Sequence, residues 1–476
     1  MDAHQLEIKN YFNSMADNFV LYRSKRKYYW NSILKYCSYY LNSDQSVLEI
    51  GCGAGDLIGN LPGKNKVGID FADKLVEIAR LRYKEVTFMV LEAESLKLDQ
   101  KFDVIILSNT VGYFQDVQLV LEQLKSVCHH NTKIIITYYN KTWEPLIKLG
   151  ELIGLKRKAP EQNWLSRSDL KNLVYLAGLE PYKQINNMMI PYDIPIFSFL
   201  MNRFLVKLPL LNLLSLNQYT FARPQALNLP EEELDQLYSA TIVIPARNES
   251  GNIENAILRL PKIGKHTEII FVEGNSTDDT WEKIVEIQGK FGHLYDIKIM
   301  KQDGKGKGDA VRKGFEHASG DILFILDADL TVPPEELTKF YRAIASGKGD
   351  FINGCRLVYP MESQAMRTLN TIGNHFFSKA FSWLLEQPIK DTLCGTKVIF
   401  KSDYEQLIKN RSFFGNFDPF GDFDLLFGAY KLGLKIIDLP IKYRDRTYGE
   451  TNISRFSHGL LLLRMVVFAS KKIKFW

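Results

Sequence analysis

Asp321-Ile-Leu-Phe-Ile-Leu-Asp-Ala-Asp329 is an apolar run that ends in two carboxylates one residue apart. A short, continuous apolar run of this kind reads as a buried strand. At a strand terminus, Asp327 and Asp329 can both turn toward one hard divalent cation, Mg²⁺ or Mn²⁺, and an ion held that way neutralises a nucleotide diphosphate. The same spacing also occurs in solvated turns, so its neighbours decide the matter. Upstream, Thr241-Ile-Val-Ile-Pro-Ala-Arg-Asn-Glu249 and Phe271-Val-Glu-Gly-Asn-Ser-Thr-Asp-Asp-Thr280 are two further apolar strands that break into polar turns. Adjacent strand ends of this sort meet at the carboxyl edge of a sheet, where ligands bind.

Together with the basic glycine run Gly304 to Gly314, these ordered motifs resemble the inverting glycosyltransferases of family 2, from about Ala240 to Gly459. The resemblance implies a GT-A fold and a nucleoside diphosphate sugar as donor. Carried over by position, Pro245, Ala246, Glu249 and Glu273 border the base and ribose, although the family generally has aspartate at the last position. Lys307 and Arg312 lie near the donor phosphates; the alternative is plain surface charge at a helix start. Further on, Asp391-Thr-Leu-Cys-Gly-Thr-Lys397, Phe420-Gly-Asp-Phe-Asp-Leu425, Tyr443-Arg-Asp-Arg446 and Gly449-Glu-Thr-Asn452 resemble the dolichyl-phosphate mannose synthase-like branch. That branch implies a polyprenyl phosphate or related lipid-linked acceptor.

In that resemblance Asp422 and Asp424 occupy the place of an acid pair that would deprotonate an acceptor hydroxyl. An acceptor phosphate is already ionised at neutral pH and needs charge compensation instead. Arg444 and Arg446 supply that kind of partner, since guanidinium matches phosphate geometry. Two rival readings stay open: a sugar-hydroxyl acceptor, with Asp424 as an essential base, and a non-catalytic binding or scaffold protein.

In the first half, Val47-Leu-Glu-Ile-Gly-Cys-Gly-Ala-Gly55 is a strand entering a glycine-rich turn. Glycines 51, 53 and 55 permit a tight turn and close backbone approach to a ligand. Asp70 ends the next strand, where a carboxylate can accept both hydroxyls of a ribose. With Glu49 two residues before the first glycine, this pattern resembles the class I S-adenosylmethionine-dependent methyltransferases, over roughly Tyr11 to Lys183. The resemblance implies that Glu49, Gly51, Gly53 and Gly55 surround the methionine part and that Asp70 holds the ribose. It also places Glu92 and Ala93 beside the adenine and Ser108 near the sulfonium. Methyl transfer needs mainly alignment of a nucleophile with an electrophilic sulfonium, so the acceptor is not named by the sequence. Tyr113 and Tyr138 are either substrate contacts or packing.

The remaining numbers set bounds. At 476 residues the chain exceeds one ordinary core, and 46% apolar with 24% charged residues is a globular composition. We expect an α/β protein of two domains: a Rossmann-like methyltransferase fold with an aliphatic helical tail (1–228), a linker (229–239) and a GT-A glycosyltransferase with a basic amphipathic C-terminus (240–476). The net charge of +5 is mild, and no basic stripe carries interleaved aromatics, which excludes nucleic acid. Five scattered cysteines without a CxxC pair fit a reducing, cytoplasmic compartment. The polar N-terminus predicts no signal peptide, and the fifteen uncharged residues between Lys207 and Arg223 are too few to span a bilayer. Phe197, Leu200, Met201, Phe204, Leu205 and Leu208 share one helical face, with Ser198, Asn202, Arg203 and Lys207 opposite. That helix either packs on the core or lies peripherally on the cytoplasmic face of a membrane, and the basic, apolar C-terminus leaves the same choice.

Overall fold

Each apolar run quoted above becomes a strand, and the strands build two separate sheets. The computed structural model describes residues 3–154, 156–359, 368–409, 421–446, 448 and 455–475. They divide into one unit of Met1–Gln225 with Phe475–Trp476 and a second of Ala226–Lys474. Both are α/β, so the expected fold class stands.

In the first unit the strands are β1 (Ser46–Ile50), β2 (Lys64–Asp70), β3 (Thr87–Val90), β4 (Phe102–Ser108), β5 (Cys128–Tyr139), β6 (Leu179–Asn187) and β7 (Asn217–Pro224), in the order β3-β2-β1-β4-β5-β7-β6. All neighbours are parallel except β7, which runs antiparallel to β5 and β6. Connections leave β1 toward β2 on one side while β4 lies on the other, which opens a crevice beyond the ends of β1 and β4. Leu48, Ile50, Ile69, Ile105, Leu107 and Ile136 pack the core around this point. Full burial of each such side chain contributes roughly 1.5–3 kcal/mol.

Sequence patterning assigns no strand between Pro191 and Pro230, yet β7 lies there, inserted between β5 and β6. Its residues 217–223 are all buried, on both faces, so hydrophobic alternation is lost. Its polar groups are held by neighbours: Tyr29 donates to Asn217 Oδ1 at 3.0 Å and Gln184 Nε2 reaches Thr220 Oγ1 at 3.2 Å. The aliphatic helix upstream runs from Phe197 to Arg203, followed by a 3₁₀ turn at Leu205–Lys207. Its apolar face is largely open: Phe197, Leu200, Phe204 and Leu208 are exposed, while Met201 and Leu205 are half-buried.

The second unit contains β8 (Ala240–Ala246), β9 (Thr267–Glu273), β10 (Asp296–Lys301), β11 (Ile322–Ile325), β12 (Phe351–Cys355), β13 (Lys397–Phe400) and β14 (Ile436–Pro440), in the order β10-β9-β8-β11-β13-β12-β14. Strand β13 is antiparallel to both neighbours and the other pairs are parallel. Ile242, Ile244, Phe271, Phe324, Phe340 and Val398 fill its core. The register sets Ala246 beside Glu273, and Leu326 N–H bonds to Val243 O at 3.0 Å, so the acidic pair emerges at the same carboxyl edge.

Residues 229–239 are docked within this unit. Arg342 pairs with Asp235 through two contacts of 3.1 and 2.8 Å, and the Tyr341 hydroxyl lies 2.9 Å from Tyr238 O. The C-terminal helix Arg455–Ala469 buries Leu462, Met465 and Ala469, and Lys474 just beyond it pairs with Glu386 at 2.7 Å. Among the described residues no helix is long and apolar enough to cross a membrane. All five cysteines are free and buried.

Candidate active sites

Beyond β1 the chain turns through Gly51, Gly53 and Gly55, all with left-handed backbone at φ +73°, +54° and +78°. At Gly51 a side chain would also collide with Thr110, so only glycine closes this turn. Asp70 braces it: its Oδ2 accepts the Gly53 N–H at 2.8 Å and its Oδ1 accepts the Ala72 N–H at 2.9 Å. Burial pushes the Asp70 carboxyl up, and these amide donors oppose that shift. The crevice, about 470 Å³ including its open mouth, is lined by Gly51, Asp70, Glu92, Ala93, Thr110 and Tyr113 among others.

Glu49 and Ser108 do not line this crevice. Glu49 is 1% exposed and its Oε2 accepts the Ile58 N–H at 3.0 Å, which ties the short helix Asp56–Asn60 to β1. Burial raises its pKa to about 8, against a lowering by the Arg23 charge. Ser108 Oγ lies 3.3 Å from Thr137 Oγ1 inside the sheet. Tyr113 lines the crevice, whereas Tyr138 is packed in the core.

The contribution of the N-terminal helix Ala3–Lys25 is not carried by any motif. Its Gln5 lines the crevice, and the Phe12 ring packs edge-on against Tyr113 at 5.2 Å and Phe71 at 6.4 Å. Phe19 lies over the Gly53 turn, and Lys9 and Asn13 fasten the helix to Asp73. The signal available was an amphipathic first helix with aromatics at residues 11, 12 and 19.

In the second unit the acidic pair is already charge-compensated by its own chain. Lys307 Nζ lies 2.6 Å from Asp327 Oδ1, and Arg446 Nη2 lies 2.6 Å from Asp329 Oδ2. Arg446 also reaches Glu249 Oε1 at 3.2 Å. The Thr331 amide and hydroxyl bond to Asp329 Oδ1 at 3.1 and 2.8 Å, which fixes that carboxylate. Glu249 accepts from Asn252 Nδ2 at 2.7 Å. Burial raises its pKa to about 7, with Asp329 and Asp327 adding to the rise and Asn252 and Arg446 opposing it.

Pro245 and Ala246 end β8 at this edge, and Glu273 ends β9, where its carboxylate accepts the Ser276 N–H and closes the following turn. Arg312 is not on the acidic pair. It sits 3.9 Å from both Asp309 and Asp424, beside the contact between Gly308 and Gly421. Arg444 joins the site through its backbone, donating to Thr331 O at 3.0 Å, while its side chain is exposed. The side chain of Asp422 and the run Gly449-Glu-Thr-Asn452 lie outside the described residues.

Asp391 is buried and makes a two-point pair with Arg356 at 2.7 and 2.8 Å, which secures the loop that carries Gly395. The backbone of Gly395 presses on the acidic pair. A side chain there would strike Asp327 Oδ2 and come within 2.5 Å of Lys307 Nζ.

Comparison with known proteins divides the chain in the same way. Residues 241–413 match the family described as Glycosyl transferase family 2, and residues 22–184 match the family described as Methyltransferase domain. The dolichol-phosphate mannosyltransferase of Pyrococcus furiosus is 38% identical over 121 residues, 25% of this chain and 33% of that protein. The chain thus spans a third of that relative's length. Glycosyltransferase AglJ of Haloferax volcanii is 27% identical over 220 residues, 46% of this chain and 67% of the relative. Among solved structures, a SAM-dependent methyltransferase from Thermotoga maritima aligns at 16% identity with a TM-score of 0.37, covering 46% of this chain and all of that one.

Proposed function

We propose, on the premise that this chain joins a methyltransferase domain to a family 2 glycosyltransferase domain, that the second unit moves a sugar with inversion from a nucleoside diphosphate to a polyprenyl phosphate. The observation that carries the reading is the acidic pair at the carboxyl edge beside Ala246 and Glu273, held by Lys307 and Arg446.

The donor set suits a hard ion. Two carboxylates one residue apart follow β11 at the carboxyl edge of the sheet, and among the described residues no group of three or more His, Cys, Asp or Glu side chains could hold an ion unaided. An ion bound there would draw further oxygen ligands from phosphate and water, as Mg²⁺ usually does. Such an ion neutralises the leaving diphosphate. Asp327 and Asp329 would hold such an ion, and Lys307 and Arg446, which pair with them, would supply positive charge for the phosphate oxygens. Glu249 and Glu273 border the nucleoside. An ionised acceptor phosphate oxygen attacks the anomeric carbon, the bond to the diphosphate breaks, and the nucleoside diphosphate leaves with the electron pair. No proton has to move, so Asp424 positions Arg312 and is not a base.

In the first unit, the crevice lined by Gly51, Asp70, Glu92 and Ala93 suits S-adenosylmethionine, with carboxylates for ribose and adenine and a turn too tight for any side chain. The bound cofactor supplies the electrophilic methyl group, while the chain orients it and excludes water. The buried, free thiols fit work in a reducing compartment.

Titration of the full chain with a panel of sugar nucleotides in Mn²⁺, followed by turnover on a polyprenyl phosphate, tests the reading. Asp329→Asn is expected to abolish donor binding, and Asp424→Asn to leave turnover largely intact. Full loss of turnover in Asp424→Asn on a sugar-hydroxyl acceptor would instead establish the rival acceptor class.

A further inference from the structure

The helix Phe197–Arg203 is built the wrong way round for a soluble surface. Its uncharged polar residues face the protein: Ser198 is 1% exposed and donates to Tyr192 O at 2.6 Å. Asn202 accepts the Met189 and Ile190 amides at 2.7 and 2.9 Å and donates to Ile190 O at 2.8 Å. The apolar residues face out, with Ile196 75% and Leu210 81% exposed and Phe197, Phe199, Leu200, Leu213 and Leu214 also uncovered. Ordinary amphipathic helices bury the opposite face, and single exposed apolar residues are common whereas a contiguous field of them is not.

A second segment adjoins the first. The helix Glu144–Leu152 buries none of its residues, and Leu146, Leu149, Leu152 and Ile153 are exposed along it. Trp143 Nε1 donates to Leu214 O at 3.0 Å and Asn140 Nδ2 to Leu213 O at 3.0 Å, which joins the two segments side by side. Both follow strand ends at one edge: Tyr139 of β5 and Asn187 of β6 each pair with Asn217. That edge also carries the crevice of the first unit.

The fringe is basic. Arg203 is exposed, Lys35 is close enough to feel its charge, and Lys141, Lys148, Arg157 and Lys158 are exposed around the second segment. Glu144 and Glu151 are each paired with a lysine, and the exposed Asp193 and Glu161 leave the balance of charge basic.

We propose that these two segments form a platform by which the methyltransferase unit rests on an anionic lipid surface, with the aliphatic and phenylalanine side chains at the acyl boundary and the basic fringe on the headgroups. Apolar burial with a cationic rim and interfacial Trp and Tyr is the composition such contacts require. A second copy of the chain fits less well, because a twofold contact would oppose the basic fringe to itself.

Flotation of the full chain with vesicles tests this, using phosphatidylcholine alone and phosphatidylcholine mixed equally with phosphatidylglycerol. The wild type is expected to float with the anionic vesicles, less so at high salt. The combined variant Ile196→Asp, Phe199→Asp, Leu210→Asp is expected to lose roughly tenfold or more in partitioning, and Arg203→Glu with Lys148→Glu to lose anionic selectivity. Circular dichroism and S-adenosylmethionine binding in the same unit, whose crevice is lined by none of these residues, report that the variants fold. The proposal fails if the wild type floats with neither vesicle, or if the apolar variant floats as well as the wild type. It also fails if light scattering shows a wild-type dimer that the variant converts to monomer without any vesicle binding.

Discussion

Glu49 shows how a motif residue can serve the frame of a site without entering its cavity. Its carboxyl, at about 8 in the fold against an ordinary value near 4, stays protonated across a window in which the unfolded chain has released that proton. The folded unit then holds one proton more, so stability falls as pH rises from about 4.5 to 8, by up to about 1.4 kcal/mol per pH unit. Glu49→Gln is expected to flatten that slope, read by hydrogen exchange of the β1 and β2 amides after correction for intrinsic rates; an unchanged slope would refute the assignment. Gly395 is the matching case in the second unit. Gly395→Ala forces the Asp327 carboxylate off its place, while the far end of a side chain gives way at little cost to the fold. Mn²⁺-dependent nucleotide affinity should drop roughly tenfold or more, about 1.4 kcal/mol, with the melting temperature nearly unchanged.

At the scale of elements, what could be read from the sequence was whatever local pattern determines. The apolar runs of β1 to β5 and β8 to β11, with the turns that follow them, are specified by residues adjacent in the chain. The strand β7 was not legible, because a strand buried on both faces among tyrosines and asparagines keeps its polar groups only through partners distant in sequence, such as Tyr29. The grouping of Lys307 with Asp327 and of Arg446 with Asp329 was likewise hidden, since each pair joins separate elements. Arg312 lies further along the same helix as Lys307 and faces Asp309 and Asp424. The N-terminal helix is hidden for a related reason: nothing in its own pattern says that it lines a cavity. Phe12→Ala should weaken S-adenosylmethionine binding roughly three- to tenfold, through lost ring contact with Tyr113 and Phe71. Calorimetric titration checks this, and unaltered affinity would show that the helix only shields the fold.

Each unit of the whole molecule closes its own sheet around its own core. Asp329→Asn is expected to leave S-adenosylmethionine affinity within about twofold of wild type, and Asp70→Ala to do the same for sugar-nucleotide affinity, each residue belonging to the other unit. Cross-talk beyond that would reveal coupling between the two activities. The five shielded sulfurs offer a way to watch the two bodies separately. Cys37, Cys52 and Cys128 belong to the first and Cys355 and Cys394 to the second, and burial raises the thiol pKa of every one. An intact chain should therefore resist maleimides, and each adduct mass that appears during slow warming would timestamp the loosening of its own half.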